Sequence, residues 1–154
     1  MNTMNSIHTR QQGFSLIEVL ITLVIMSVGM LGIAGLYVQS MQAGRTSMFR
    51  HHAVTLAGDV ADRIRANPTA GLAYTAPVGV NNNCVLGGAD CNPGQMAGND
   101  ILLWKAQAQD SLPGGDVTIV FNNLVLPPTY QITISWNEPG EVPTYVITIP
   151  VRLL

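Results

Sequence analysis

The chain has 154 residues, a formal net charge of −2, 47% hydrophobic residues and only 10% charged ones. That is enough for about one small domain and too apolar for an ordinary soluble one. Between Lys105 and Arg152 every charged residue is acidic, Asp110, Asp116, Glu138 and Glu141, which excludes a basic nucleic-acid footprint from that half.

The apolar excess is local. From Phe14 to Val38 the chain carries one charge, Glu18, and this run follows the polar stretch Arg10-Gln11-Gln12-Gly13. About 20 apolar residues cross the hydrocarbon of a bilayer, so residues 14–38 are predicted to be a membrane-spanning helix. A cleaved secretory signal fits poorly, because its apolar stretch is about 7–15 residues long and Glu18 would interrupt its start. A plain anchor fits the length and leaves Glu18 unexplained. An ionisable side chain costs about 2.5–3.5 kcal/mol at the centre of a membrane helix and less near an end. A third reading supplies the missing cation. The helix dwells in the membrane, later packs among similar helices, and Glu18 meets an amino terminus released by a cut between Gly13 and Phe14. Glycine before the cut puts no side chain in a protease's way, and a methylated amine stays cationic. A charge in low dielectric is tolerated only when paired.

Gly13-Phe14-Ser15-Leu16-Ile17-Glu18-Val19-Leu20, leading into the uninterrupted apolar run, resembles the processing signature of type IV pilins and of the related pseudopilins of type II secretion. The resemblance implies that residues 1–13 are a leader removed by a prepilin peptidase, that Phe14 becomes an N-methylated terminus, and that Glu18 is the carboxylate used in subunit assembly. Charge alone leaves the orientation open, with Arg10 before the run and Arg45 and Arg50 after it. The motif, together with the cysteines, places the C-terminal part outside the cytoplasm.

Helical periodicity continues beyond Val38. Phe49, Ala53, Leu56, Val60 and Ile64 recur every three or four residues, which aligns them on one face. Asp59 and Arg63 have the spacing of an i,i+4 pair. Residues 39–67 are thus an amphipathic helix of the head, stopped at Asn67-Pro68 by the bias of a pre-proline residue against helix. A continuous helix from Phe14 to Ala66 would be about 80 Å long at 1.5 Å per residue. Gly29, Gly32 and Gly35 weaken its first half by about 1 kcal/mol each, as points of local melting or of close helix packing.

Residues 68–154 form the remainder of the head. Frequent Pro and Gly make 68–99 a loop region. It holds the only two cysteines, Cys84 and Cys91, either a disulfide closing a small loop in an oxidising compartment or two free thiols. Asn99 or Asp100 could cap a short helix running to Leu112 and ended by Pro113-Gly114-Gly115. The period then becomes two: Val117, Ile119 and Phe121, then Tyr130, Ile132, Ile134 and Trp136, then Tyr145, Ile147 and Ile149 alternate with more polar neighbours. These are half-buried strands within 117–154, the last two joined by a turn at Asn137-Glu138-Pro139-Gly140-Glu141. The expected fold is α+β: a long N-terminal helix, membrane-spanning then amphipathic, packed on a small antiparallel sheet, with Trp104 and Trp136 in the core.

Asp62-Arg63-Ile64-Arg65-Ala66-Asn67-Pro68 with Tyr74, Trp104, Leu112-Pro113-Gly114-Gly115 and Ile134-Ser135-Trp136 is similar to the minor pilins of the type IV pilus modification family, PilV. That resemblance implies a single-pass protein of the bacterial inner membrane with a periplasmic head, transferred later to the pilus or its tip. Its partners would be the prepilin peptidase, other minor and major pilins through the N-terminal helix, the inner-membrane assembly platform and the membrane itself. Its role would be to help initiate pilus assembly, with effects on twitching motility, adhesion or DNA uptake. The alternatives are a minor pseudopilin of type II secretion and a pilus-displayed adhesin or receptor that uses the 68–99 loop. No catalytic group, metal or cofactor is expected. The three histidines, His8, His51 and His52, all lie before the head's loops and strands, and Asn82, Asn83, Asp90 and Asn92 lack the bidentate glutamate of a calcium loop.

Overall fold

The computed structural model describes residues 13–85 and 90–151, so the predicted leader lies, except for Gly13, outside the described residues. The element order is helix α1 (Leu16–Ala66), a short 3-10 helix (Pro68–Thr75), helix α2 (Pro93–Ser111), and strands β1 (Asp116–Asn122), β2 (Thr129–Ser135) and β3 (Thr144–Pro150). Backbone contacts divide the chain into two units, Met1–Ala43 and Gly44–Leu154.

In the first unit the helical residues 16–43 are all exposed. Leu16, Leu20, Val24, Met30 and Tyr37 are among the large apolar side chains left uncovered. An uncovered apolar surface on this scale marks a membrane or protein contact. The α1 segment contains an 18-residue window of mean hydropathy 2.5 with none of it buried, a composition able to span a bilayer. Gly29, Gly32 and Gly35 sit within the unbroken helix.

The second unit has its own core. Ala53, Leu56, Ala57, Val60, Ala61 and Ile64 of α1 are buried, the stripe expected of an amphipathic helix laid on a sheet. The antiparallel sheet has the order β1-β2-β3, with Ile119 opposite Ile132 and Ile132 opposite Ile147. Val117, Ile119, Tyr130, Ile132, Ile134 and Ile149 turn inward to meet α1, joined by Trp104 and Trp136. The α+β architecture is the one the periodicities predict, and both tryptophans are core residues, 1% and 2% exposed.

Two boundaries differ. The helix expected from Asn99 or Asp100 begins earlier, at Pro93. Asn92 caps it: its side chain accepts from the Gln95 amide at 2.9 Å while Gln95 accepts from the Asn92 amide at 3.0 Å, the reciprocal bonds of a capping box. Proline is well suited to the first helical position, where its missing N–H is not needed, so Pro93 starts a helix where it suggested a loop. The expected loop 68–99 is likewise not all loop, since Pro68 opens the 3-10 helix in the same way. The turn after β2 forms as expected, with a bridge between Glu138 and Glu141 and Gly140 at φ +89°, where a side chain would be strained. Helix α1 ends at Ala66, one residue before the pre-proline Asn67.

Ile132 is fully buried at the centre of the sheet. Ile132→Ala is expected to destabilise the head by about 2–5 kcal/mol. Urea unfolding of the full chain in detergent micelles, followed through the two tryptophans, measures this, and a loss under about 1 kcal/mol would show that the strand is not central to the core.

Candidate assembly site

The residues singled out at the amino-terminal end lie together where α1 begins. Gly13, Phe14 and Ser15 precede the helix in non-helical backbone, and Phe14 is 85% exposed. The Ser15 carbonyl accepts from the amides of Glu18 at 3.1 Å and Val19 at 3.3 Å, which starts the helical ladder. Glu18 is the acidic residue of the first turn, where the unpaired amides of a helix start favour a negative charge. That is a partial answer to its charge. Among the described residues Glu18 has no ion-pair partner. Thr22 turns its hydroxyl onto the Glu18 carbonyl at 2.9 Å and the Val19 carbonyl at 2.8 Å, so this helical polar group satisfies itself. Among the described residues the unit therefore presents an exposed apolar helix with one carboxylate in its first turn and no ion pair to it.

The head has polar chemistry of a different kind. Asp100, on α2, is 3% exposed and accepts from the Arg63 guanidinium at 3.0 Å and from the Tyr74 hydroxyl at 3.1 Å. Arg63 also pairs with Asp59 at 3.4 Å, the i,i+4 pair expected from the spacing. Asp59 accepts from the Trp104 indole N–H at 3.1 Å. Asn67 donates to the Tyr74 hydroxyl at 3.2 Å and to the Pro93 carbonyl at 2.9 Å. The network pins α2 and the 3-10 helix to the last turns of α1, and Tyr74 stacks on Trp104 with ring centroids 5.7 Å apart. At the other end, Glu138 accepts from the Trp136 indole at 2.8 Å and from Thr46 at 2.9 Å. Burial would lower the Arg63 pKa, but Asp59 and Asp100 outweigh it and raise it. Burial pushes the Tyr74 phenol up, opposed by the Asn67 hydrogen bond and reinforced by Asp100; burial also raises Tyr130.

Cys84 and Cys91 form a disulfide, with Cα atoms 5.7 Å apart. Asp59 and Arg63 were readable as a pair. Asp100 and Tyr74 were not, although one signal existed: Asp100 lies on the stripe Ala97, Ile101, Trp104 and Ala108, and a charge on a core stripe requires a partner. The network is structural, since each of its acids and donors is spent on holding elements together. Among the described residues no group of three or more His, Cys, Asp or Glu side chains is placed to hold a metal ion.

Residues 8–34 match the family model of the prokaryotic N-terminal methylation motif, a span that includes Gly13, Phe14 and Glu18. Residues 35–102 match the model described as type IV pilin Tt1218. No curated protein matches, and no solved structure does. With a long apolar-to-amphipathic helix on a small antiparallel sheet, these matches define the class: the chain is a type IV pilin-like protein. That family is structural rather than enzymatic. The motif implies processing by a prepilin peptidase and assembly with other pilins, and with the apolar helix it points to membrane anchoring and association with a pilus.

The raised tyrosines make the stability of the head depend on pH in alkali. An unfolded phenol ionises near pH 10, whereas Tyr74 and Tyr130 hold their protons above that value in the folded head. Stability is therefore intact below about pH 10 and falls as pH rises, by at most about 1.4 kcal/mol per pH unit for each tyrosine. Tyr74→Phe is expected to flatten the slope measured by urea unfolding between about pH 9.5 and 11.5. An unchanged slope would mean that Tyr74 ionises alike in both states.

Proposed function

We propose that this chain is a minor pilin subunit of the type IV pilus, of the PilV kind, which helps to initiate pilus assembly and thereby supports twitching motility, adhesion or DNA uptake. The observation that carries the reading is the uncovered segment 16–43 of α1, whose one charge, Glu18, lies four residues beyond Phe14 within the matched methylation motif. On this reading a prepilin peptidase cuts between Gly13 and Phe14, Phe14 is N-methylated, and residues 1–13 are lost as a leader. Residues 14–38 hold the protein in the bacterial inner membrane as a single pass with the head in the periplasm, where an oxidised pair such as Cys84 and Cys91 persists. The assembly platform then passes the helix into a bundle of minor and major pilins. There the Glu18 carboxylate answers the cationic amine of a neighbour, and the apolar face stays covered throughout.

Two measurements test this. Mass spectrometry of the mature protein should find a chain that begins at a methylated Phe14. Glu18→Ala should be cut and methylated yet enter sheared filaments about tenfold or more less well than the parent, whereas Glu18→Asp should keep part of the function. An uncut chain within filaments, or full incorporation of Glu18→Ala, would overturn the reading.

A further inference from the structure

Among the described residues the sheet of the head has an open, uncharged edge on β3. Its hydrogen-bond direction follows from two bonds that flank the strand: the Trp136 amide donates to the Pro143 carbonyl at 3.2 Å and the Val151 amide to the Pro128 carbonyl at 2.7 Å. Both belong to the same register as the β2–β3 ladder, in which Tyr145, Ile147 and Ile149 face Ile134, Ile132 and Tyr130. In an antiparallel pair hydrogen-bonded and non-bonded pairs alternate, so the odd-numbered residues of β3 bond to β2. The backbone groups of Thr144, Val146 and Thr148 then point away from the sheet. Among the described residues none of them takes part in a further backbone bond, and β3 is the last strand in the order.

Natural edges are usually blunted by charge, proline or cover. Here residues 144–150 carry no charge, and proline occurs only at the end, at Pro150. The core is also unfinished on this side. Tyr130, Ile132 and Ile134 of β2 are buried, whereas Tyr145 and Ile147, beside them on the same face, are only partly buried. Val146, on the opposite face, is 45% exposed. Unpaired donors and acceptors next to half-covered apolar side chains are what an added strand satisfies together.

We propose that this edge takes up an extended, uncharged segment from another subunit, about five residues long and apolar at alternate positions, as an added strand beside Thr144–Pro150. A second copy of this head is the poorer occupant. Within the head, α1 runs the same way as β3: Thr46 bonds to Glu138, just before β3, and Ile64 shares a cleft with Ile149 and Pro150 at its end. Antiparallel pairing of two β3 edges would invert one head against the other, so that their helices would enter from opposite ends of the joined sheet, and parallel pairing would turn one head over and put the two helices on opposite faces of it. A loop or tail without such a helix has no such restriction. The edge is a property of the head alone and does not depend on the role assigned to Glu18.

The test uses the full chain in detergent micelles and a synthetic peptide unlike β3, acetyl-Val-Thr-Val-Thr-Val-amide, as an uncharged strand former that is apolar at alternate positions. Hydrogen exchange read residue by residue should show the amides of Thr144, Val146 and Thr148 exchanging fast in the chain alone and at least about tenfold slower with saturating peptide. Val146→Pro, which removes an outward N–H at an edge where proline is tolerated, should abolish that protection while the thermal midpoint holds. Should that variant misfold, Thr148→Pro serves in its place. Slow exchange of these amides in the chain alone without dimer formation would mean that the edge is already covered. No protection by peptide, or equal protection in the proline variant, would overturn the proposal. A dimer of the chain alone that Val146→Pro dissolves would replace the foreign segment with a second copy and overturn the assigned occupant.

Discussion

Among the described residues the helical surface of residues 16–43 is exposed along its whole length, and how this protein behaves depends on what covers that surface. In water it would be intolerable. In a bilayer or in a bundle of similar helices it is covered equally well, because lipid tails are as apolar as the side chains of another helix. The hydrophobic effect therefore keeps the segment out of water without choosing between those two surroundings. The choice falls to polar and close-packing terms, and between Leu16 and Leu36 they are few: the Glu18 carboxylate, the self-bonded Thr22 and Ser27, and the glycines at 29, 32 and 35.

The head solves the opposite problem, since it must be stable in water with a small core. It does so by placing carboxylates where they join elements that sequence separates widely. Asp100 links α2 to α1 and to the 3-10 helix, Glu138 links the β2–β3 turn to Thr46, and Lys105 of α2 pairs with Asp116 of β1 at 2.6 Å. Of these carboxylates Asp100 is the buried one; a buried ion pair rarely adds much net stability, but removing its partner is costly, so that contact selects one arrangement of elements over its neighbours. Gly114 contributes to the same tight junction. It has φ +59°, and a Cβ there would run into Asn137, whose amide donates to the Pro113 carbonyl at 2.8 Å.

Much of this was legible in the residues. The three strands announced themselves by strict alternation, and their inward residues are the ones that pack on α1. The stripe from Ala53 to Ile64 was equally plain, because a 3.6-residue period maintained over several turns has few competing explanations. Helix α2 was read with its cap at Asn99 or Asp100 instead of Asn92, since Pro93 and Gly94 signal a turn unless the capping pair of Asn92 and Gln95 is weighed against them. The Asp100 network was hidden for a different reason. Its members lie 26 to 37 residues apart, and pairing at that distance is decided by packing rather than by local pattern. At the amino-terminal end the case is reversed: the residues that matter are adjacent in sequence, so their spacing could be read directly, while the cation that would answer Glu18 is not among the described residues.

This asymmetry has a physical consequence for how such a subunit would exchange one environment for another. If covering the apolar face contributes nearly the same free energy in lipid and in a helix bundle, the transfer is governed by the difference in how each treats one carboxylate. In a bilayer-spanning helix a carboxylate this near the start would keep water and headgroups within reach, so residence in the bilayer would be tolerable without a partner. Within a bundle that water is excluded, and the same group becomes a strong discriminator between neighbours that present a cation and neighbours that do not. On the proposed reading, a single anion on an otherwise apolar surface would supply register and selectivity where hydrophobic packing alone would supply neither, without trapping the helix in either environment.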